Sequence, residues 1–283
     1  MRVRLSLVLL LVPFSAGRPA DDKTETIKFL AGLQRPDGGF LPAPGAKGES
    51  SLRATSAAVR AIKYLGGEVP NKANATDFVT RCYQPESGAF SDRPGGSWDV
   101  PLSAIGAMAA AELGAPVKLN RTVRYLAANA KTYEEQRLAV AGMEAAKEFA
   151  PEIKDWFRQL EITRKPDGTW GMGEGVGRST GGNVAMILRS GGRLGADQRT
   201  AVVAALKTAQ RPDGGFGKSD AKESDTETTY RVMRAFHLLG EKPADVAKLK
   251  EFLAKHRNVD GGYGVAPGQP STVGGTYYVA VIG

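Results

Sequence analysis

Two carboxylates stand two residues apart in "SDTE" (224–227): Asp225 and Glu227. At the start of a helical run such a pair can serve a ligand or a proton transfer. The same four residues also read as a Ser-x-x-Glu capping box, which satisfies free N–H groups of a first helical turn. Register favours the cap. Asp99 opens the matching helix of one other unit and Ser51 that of another. Asp and Ser are preferred N-caps, worth about 1 kcal/mol each. Thr55, Ser103, Thr180, Thr229 and Thr276 share a further register, so a hydroxyl recurs just inside each helix start. That repetition reads as upkeep of the fold. The remaining candidates are few. His237 reads as lying deep along an inner helix and His256 as ending an outer one, both structural. Cys82 is the only cysteine, which excludes an internal disulfide and a multi-cysteine zinc site.

The elements that position these residues come from a repeat. "QRPDGGF" occurs at 34–40 and again at 210–216. Degenerate copies follow as "QPESGAF" (84–90), "RKPDGTW" (164–170) and "NVDGGYG" (258–264). Proline stops a helix, Asp-Gly-Gly permits a sharp turn, and the aromatic anchors the loop. Asp37, Asp213 and Asp260 are therefore turn residues first. Between Phe90 and Trp170 the spacing is nearly doubled and hides a unit without the glycine loop, at 120–130 and 133–149. The count is six helical hairpins. First helices are amphipathic; second helices, such as "LSAIGAMAAAELG" (102–114), are apolar nearly all round. The second helices should thus form an inner ring, with residues 50–65 and 224–239 in it, and the first helices an outer one. One hairpin has no way to bury its own apolar face, so neighbours stack. No polar terminal caps are visible, which favours closure into an all-α α/α toroid, an α6/α6 barrel. The inner helices start at one rim. Trp98, Asp99, Arg178, Asp225, Glu227, Tyr230 and Tyr277 should then meet near one mouth. Aligned on Thr229, the last inner helix is short.

The first residues, "MRVRLSLVLLLVPFSAG", carry Arg2 and Arg4, an apolar run from Leu5 to Phe14, then small residues. That layout predicts a secretory signal peptide cleaved after Gly17, hence export to a periplasm or the extracellular space. The run is too short for a comfortable membrane span. Residues 18–283 then form one domain. The net charge is +8, with 38 basic and 30 acidic residues among 283. The basic residues are scattered, so they read as solvated outer faces and not as a nucleic-acid surface.

The Q-R-P-D-G-G-F loops, each followed by a helix ending in "LLG" or its like, resemble the prenyltransferase and squalene-oxidase repeat over about residues 23–283. That family includes protein prenyltransferase beta subunits and triterpene cyclases. The resemblance implies an α/α toroid whose central, apolar cavity takes an isoprenoid chain. It also implies where zinc would sit in a transferase: on an Asp, a Cys two residues on, and a His in the next repeat. Here those positions hold Asp225, Glu227 and a residue near Gly275. The Asp-x-Asp-Asp acid of the cyclases is absent, "DD" at 21–22 lying in the N-terminal tail, and so is the Cys-Gly-Glu-Gln thioester motif. The expectation is a binding or scaffold module with no metal and no cofactor, holding an apolar, isoprenoid-like ligand or a protein segment. The alternatives are a transferase with a rebuilt site and a polysaccharide lyase using a basic residue such as Arg178.

Overall fold

The structure, a computed structural model, describes residues 19–171 and 175–282. The proposed leader, residues 1–17, lies outside the described residues. Among those described, twelve α-helices form and no β-strand beyond isolated bridges in the loops. The outer helices are α1 (Pro19–Ala31), α3 (Lys72–Cys82), α5 (Leu119–Asn129), α7 (Ile153–Ile162), α9 (Ala196–Thr208) and α11 (Val246–Ala254). The inner helices are α2 (Leu52–Tyr64), α4 (Val100–Leu113), α6 (Tyr133–Ala146), α8 (Val176–Arg189), α10 (Thr226–Leu239) and α12 (Val273–Ile282). Each inner helix packs on the next, and α12 packs on α2, so the ring closes. The expected six-hairpin toroid is the fold, including the degenerate α5–α6 unit. No described helix is long and apolar enough to cross a membrane.

Small residues let the inner helices approach closely. A Cβ added at Gly181 of α8 would lie 3.1 Å from the Val232 Cα of α10. The seam between first and last hairpins is sealed by polar bonds as well. Val273 N–H donates to the Pro42 carbonyl at 2.9 Å, and Thr26 Oγ1 donates to the Gly261 carbonyl at 2.8 Å. Asp22 pairs with Arg257 at 3.1 Å. The "DD" at 21–22, expected in the N-terminal tail, thus belongs to α1.

Why the loop is written so uniformly is now visible. The first residue joins hairpins: Gln34 exchanges two hydrogen bonds with the backbone of Asn71, the N-cap of α3. Gln210 does the same with Asp245, the N-cap of α11. The aspartate holds the turn and the segment that leads into the next helix. Asp213 Oδ1 accepts from Gly215 N–H at 3.0 Å and from Ser224 Oγ at 2.8 Å. Gly214 has φ +93°, and a Cβ there would lie 2.1 Å from the Lys248 carbonyl oxygen, so glycine is required. The aromatic is buried: Phe40, Phe90 and Trp170 at 0 % exposure, Phe216 at 1 %. Its backbone N–H donates to the recurring hydroxyl of the following inner helix. The five bonds, to Thr55, Ser103, Thr180, Thr229 and Thr276, are all 3.0–3.1 Å. A buried N–H needs a partner, and the shared register supplies it.

Candidate functional site

Asp225 is an N-cap. Its carboxylate accepts from Thr228 N–H at 2.7 Å, as Asp99 accepts from Leu102 N–H at 2.7 Å and Ser51 from Ala54 N–H at 3.1 Å. The capping box predicted over 224–227 does not form. Ser224 turns back to Asp213, so the cap falls one residue later and Glu227 is released from that duty. Instead Glu227 reaches Arg178 at 3.0 Å and Arg231 at 2.9 Å. These positions do not fit the zinc that the transferase chemistry needs. Asp225 is committed to a backbone N–H and Glu227 to two guanidiniums. Gly275 has no side chain, and a Cβ there would lie 2.7 Å from the Tyr263 carbonyl oxygen. Among the described residues no three His, Cys, Asp or Glu side chains converge.

The ring encloses a cavity of about 310 Å³. One part of its wall is apolar: Ile105, Met108, Leu138, Ala141 and Met186. The other part is cationic: Arg53, Arg60, Arg137, Arg189, Arg231 and Arg234, against one lining carboxylate, Glu227. The expected apolar cavity is therefore apolar on part of its wall only. The reading of the scattered basic residues as solvated outer faces is corrected for these six, because closing the ring turns them towards the cavity. Tyr230, Tyr277 and Tyr278 complete the lining. Their ring centroids lie 5.3–5.7 Å apart, and the Tyr230 and Tyr277 hydroxyls are 3.2 Å apart.

Near the rim the charges are paired. Arg231 grips Glu134 through both nitrogens at 2.8 Å, and Arg137 shares Glu134 at 3.0 Å. Burial alone would raise the Glu134 carboxyl, but these guanidiniums outweigh it and hold it at about 2. Burial likewise opposes ionisation of Glu227, yet Arg178 and Arg231 keep it below the usual carboxylate range. Deeper in, burial opposes ionisation of the Tyr230 phenol. The guanidiniums of Arg60, Arg189 and Arg234 outweigh that and lower it. Tyr277 is pushed up by burial.

Of the seven expected rim residues, the structure brings Glu227, Tyr230 and Tyr277 to the cavity. Arg178, 4 % exposed, stands behind Glu227 and donates to Thr228 Oγ1 at 2.9 Å. Asp99 and Asp225 cap helices outside the lining, and Trp98 is 48 % exposed ahead of α4. His237 is not deep; it is exposed in the last turn of α10. His256 is buried, with Nδ1 2.8 Å from the Phe252 carbonyl, and burial lowers its pKa. The sequence reading missed Arg53, Arg60, Arg137, Arg189, Arg231 and Arg234. A signal existed for two: Arg60 and Arg234 each lie five residues after the register hydroxyl, Thr55 or Thr229.

With this geometry in hand, likeness to known proteins is informative. Residues 5–145 and 138–282 match the prenyltransferase alpha-alpha toroid domain. The geranylgeranyl transferase type-2 subunit beta of Saccharomyces cerevisiae is 32 % identical over 79 residues, 28 % of this chain and 24 % of that protein. The chain thus aligns with about a quarter of that relative's length. Candida albicans protein geranylgeranyltransferase-I, solved with GGPP, superposes with a TM-score of 0.68 at 13 % identity, over 91 % of this chain and 89 % of that one. The type II terpene cyclase MstE from Scytonema superposes with a TM-score of 0.64 at 14 % identity, over 93 % and 95 %. A variant of that cyclase is solved with geranylgeranyl dihydroxybenzoate, with a TM-score of 0.63 at 14 % identity over 93 % and 95 %. Two tandem matches spanning the described helices, on a closed ring of six hairpins, place this chain in the prenyltransferase alpha-alpha toroid domain family.

Proposed function

We propose that this chain is a binding module that takes an isoprenoid-type apolar chain into its central cavity. The observation that carries the reading is the central cavity of about 310 Å³ with its wall of Ile105, Met108, Leu138, Ala141 and Met186. Its size is in the range of small-molecule sites, about 300–1,000 Å³. Two structural neighbours are solved with GGPP and with geranylgeranyl dihydroxybenzoate, which lends the ligand class. A zinc-assisted transferase reading lacks support, because Asp225, Glu227 and Gly275 do not form a ligand set. Calorimetry and thermal melting with geranylgeraniol test the proposal. Wild type should bind the alcohol and melt higher with it. Ala141→Trp, which fills the cavity, should stay helical by circular dichroism and lose the binding. A wild type that melts identically with and without the alcohol would overturn it.

Export belongs to the same proposal. It is supported by Arg2 and Arg4 before the apolar run Leu5–Phe14 and the small residues after it. Mass spectrometry of protein from cell fractions should find a mature N-terminus near residue 18. A chain that begins at Met1 throughout would refute it.

A further inference from the structure

Of the two histidines, His256 is sealed in the core, just beyond the end of α11. Its register recurs. The backbone carbonyl at this place ties down the segment that follows each turn: Leu33 accepts from Leu41 N–H at 3.0 Å, Cys82 from Ser91 N–H at 3.0 Å and His256 from Gly264 N–H at 2.9 Å. All three side chains are buried, so the register asks for a group that carries no charge. Leu33 meets that demand, and burial pushes the Cys82 thiol up to about 12, which keeps it neutral. At the third place stands a residue that takes up a proton near neutral pH. The turn that it roots is the one that closes the ring. A Cβ at Gly261 would lie 2.6 Å from the Glu25 carbonyl oxygen of α1, and one at Gly262 would lie 2.7 Å from the Phe29 ring. The Gly261 carbonyl accepts from Thr26, and beyond the turn Val273 N–H reaches the Pro42 carbonyl. The helix that starts there, α12, carries Gly274, Tyr277 and Tyr278 of the cavity wall.

The His256 imidazole has a place for one hydrogen. Nδ1 lies 2.8 Å from the Phe252 carbonyl, which can only accept, so Nδ1 bears it. Nε2 is buried with no hydrogen-bond partner among the described residues, and the ring packs on Phe252 at 4.5 Å between centroids. A second proton would place a charge and a new donor where no acceptor waits. The surrounding charges do not provide for it. Asp213, in the neighbouring loop, is engaged by Gly215 and Ser224. Arg257 turns to Asp22 of α1, Asp260 is held by Gly262 and Ser271, and Glu251 and Lys255 are exposed. Burial thus lowers the imidazole pKa, and the Phe252 carbonyl and Asp213 offset it only in part. We propose that His256 is a proton-sensitive lock on the closing joint of the ring. Neutral, it holds the turn at 256–264 against α1; protonated, it releases that turn and with it the seam between α12 and α2. A base that is harder to protonate in the folded chain contributes stability that is full above its ordinary value, 6.5, and is lost as pH falls below it. The lock stands whatever the cavity binds.

Hydrogen exchange on the full chain, read by mass spectrometry as protection factors between about pH 7.5 and about pH 5, decides it. Protection across residues 256–273 should fall by up to about tenfold for each pH unit below about 6.5. Residues 83–100, which follow Cys82, should hold theirs over the same range. His256→Leu, which copies the first hairpin at Leu33, should keep the joint protected and remove the pH dependence. His237→Gln, an exposed change in the last turn of α10, should leave the wild-type profile as it is. Proton NMR adds a reading that needs no change at His256. With His237→Gln identifying one imidazole signal, the other should titrate below about pH 6.5. Three results would each overturn the lock: joint protection that does not vary with pH, a His256→Leu chain that keeps the wild-type dependence, or a His256 signal that titrates at or above about pH 6.5.

Discussion

Trp170→Ala should lower the unfolding free energy by about 3–5 kcal/mol. The indole is fully buried, and its Nε1–H donates to the Leu160 carbonyl at 2.9 Å. Its own backbone N–H is bound to Thr180 Oγ1 at 3.1 Å, so the side chain anchors the turn from α7 into α8. Truncation leaves a void in the core and a buried carbonyl without its donor. The damage should reach the cavity, because α8 carries Ala185, Met186 and Arg189. Trp170→Phe is the informative companion. Phenylalanine fills the same place in the loops at Phe40, Phe90 and Phe216, but it leaves the Leu160 carbonyl unpaired. A loss of about 1–3 kcal/mol is expected there. Urea unfolding followed by circular dichroism measures both. A loss below about 1 kcal/mol for the alanine variant would show that the aromatic does not tie the hairpin down.

Arg231→Met should be the costliest change at the rim. Removing one partner of a buried ion pair costs about 3–5 kcal/mol when the charge left behind is sealed from water. Here Arg231 is 7 % exposed, but the carboxylates of Glu134 and Glu227 are 43 % and 40 % exposed. Water therefore takes up part of the loss, and about 1–3 kcal/mol is expected. The effect should depend on pH. Glu134 is held at about 2 instead of its ordinary 4.5, and Glu227 is also lowered. A depressed carboxylate contributes stability that is fully present above about pH 4.5 and is lost as pH falls towards about 2. In Arg231→Met both carboxyls titrate closer to their ordinary value, so they have less stability to lose. The gap between wild type and variant should therefore narrow below about pH 4.5. A gap that stays constant from about pH 7 to about pH 3 would mean that the pairs add nothing to stability.

The ring itself was legible before any coordinates. A seven-residue loop repeated around proline, aspartate, glycine and an aromatic sets helix ends, and the period counts hairpins. Even the hydroxyl register of Thr55, Ser103, Thr180, Thr229 and Thr276 announced a structural duty, which proves to be the bond to each aromatic N–H. These are local matters: a turn, a cap and a side chain a dozen residues away belong to one hairpin, and spacing encodes them. The site is different in kind. Helical periodicity says that Glu227, Tyr230, Arg231 and Arg234 lie along one side of α10, but not whether that side meets solvent or the centre of a ring. Scattered arginines therefore looked like an ordinary wet surface. Only closure of α12 on α2 faces Arg60, Arg189 and Arg234, from three separate hairpins, towards one central cavity. The capping box over 224–227 failed for a related reason. Ser224 had a better partner in Asp213, eleven residues back across the loop, and so Glu227 was freed to bind the guanidiniums of Arg178 and Arg231. Sequence spacing sets what each hairpin is; which charges face one another is set by the ring, because those contacts join residues that no local pattern relates.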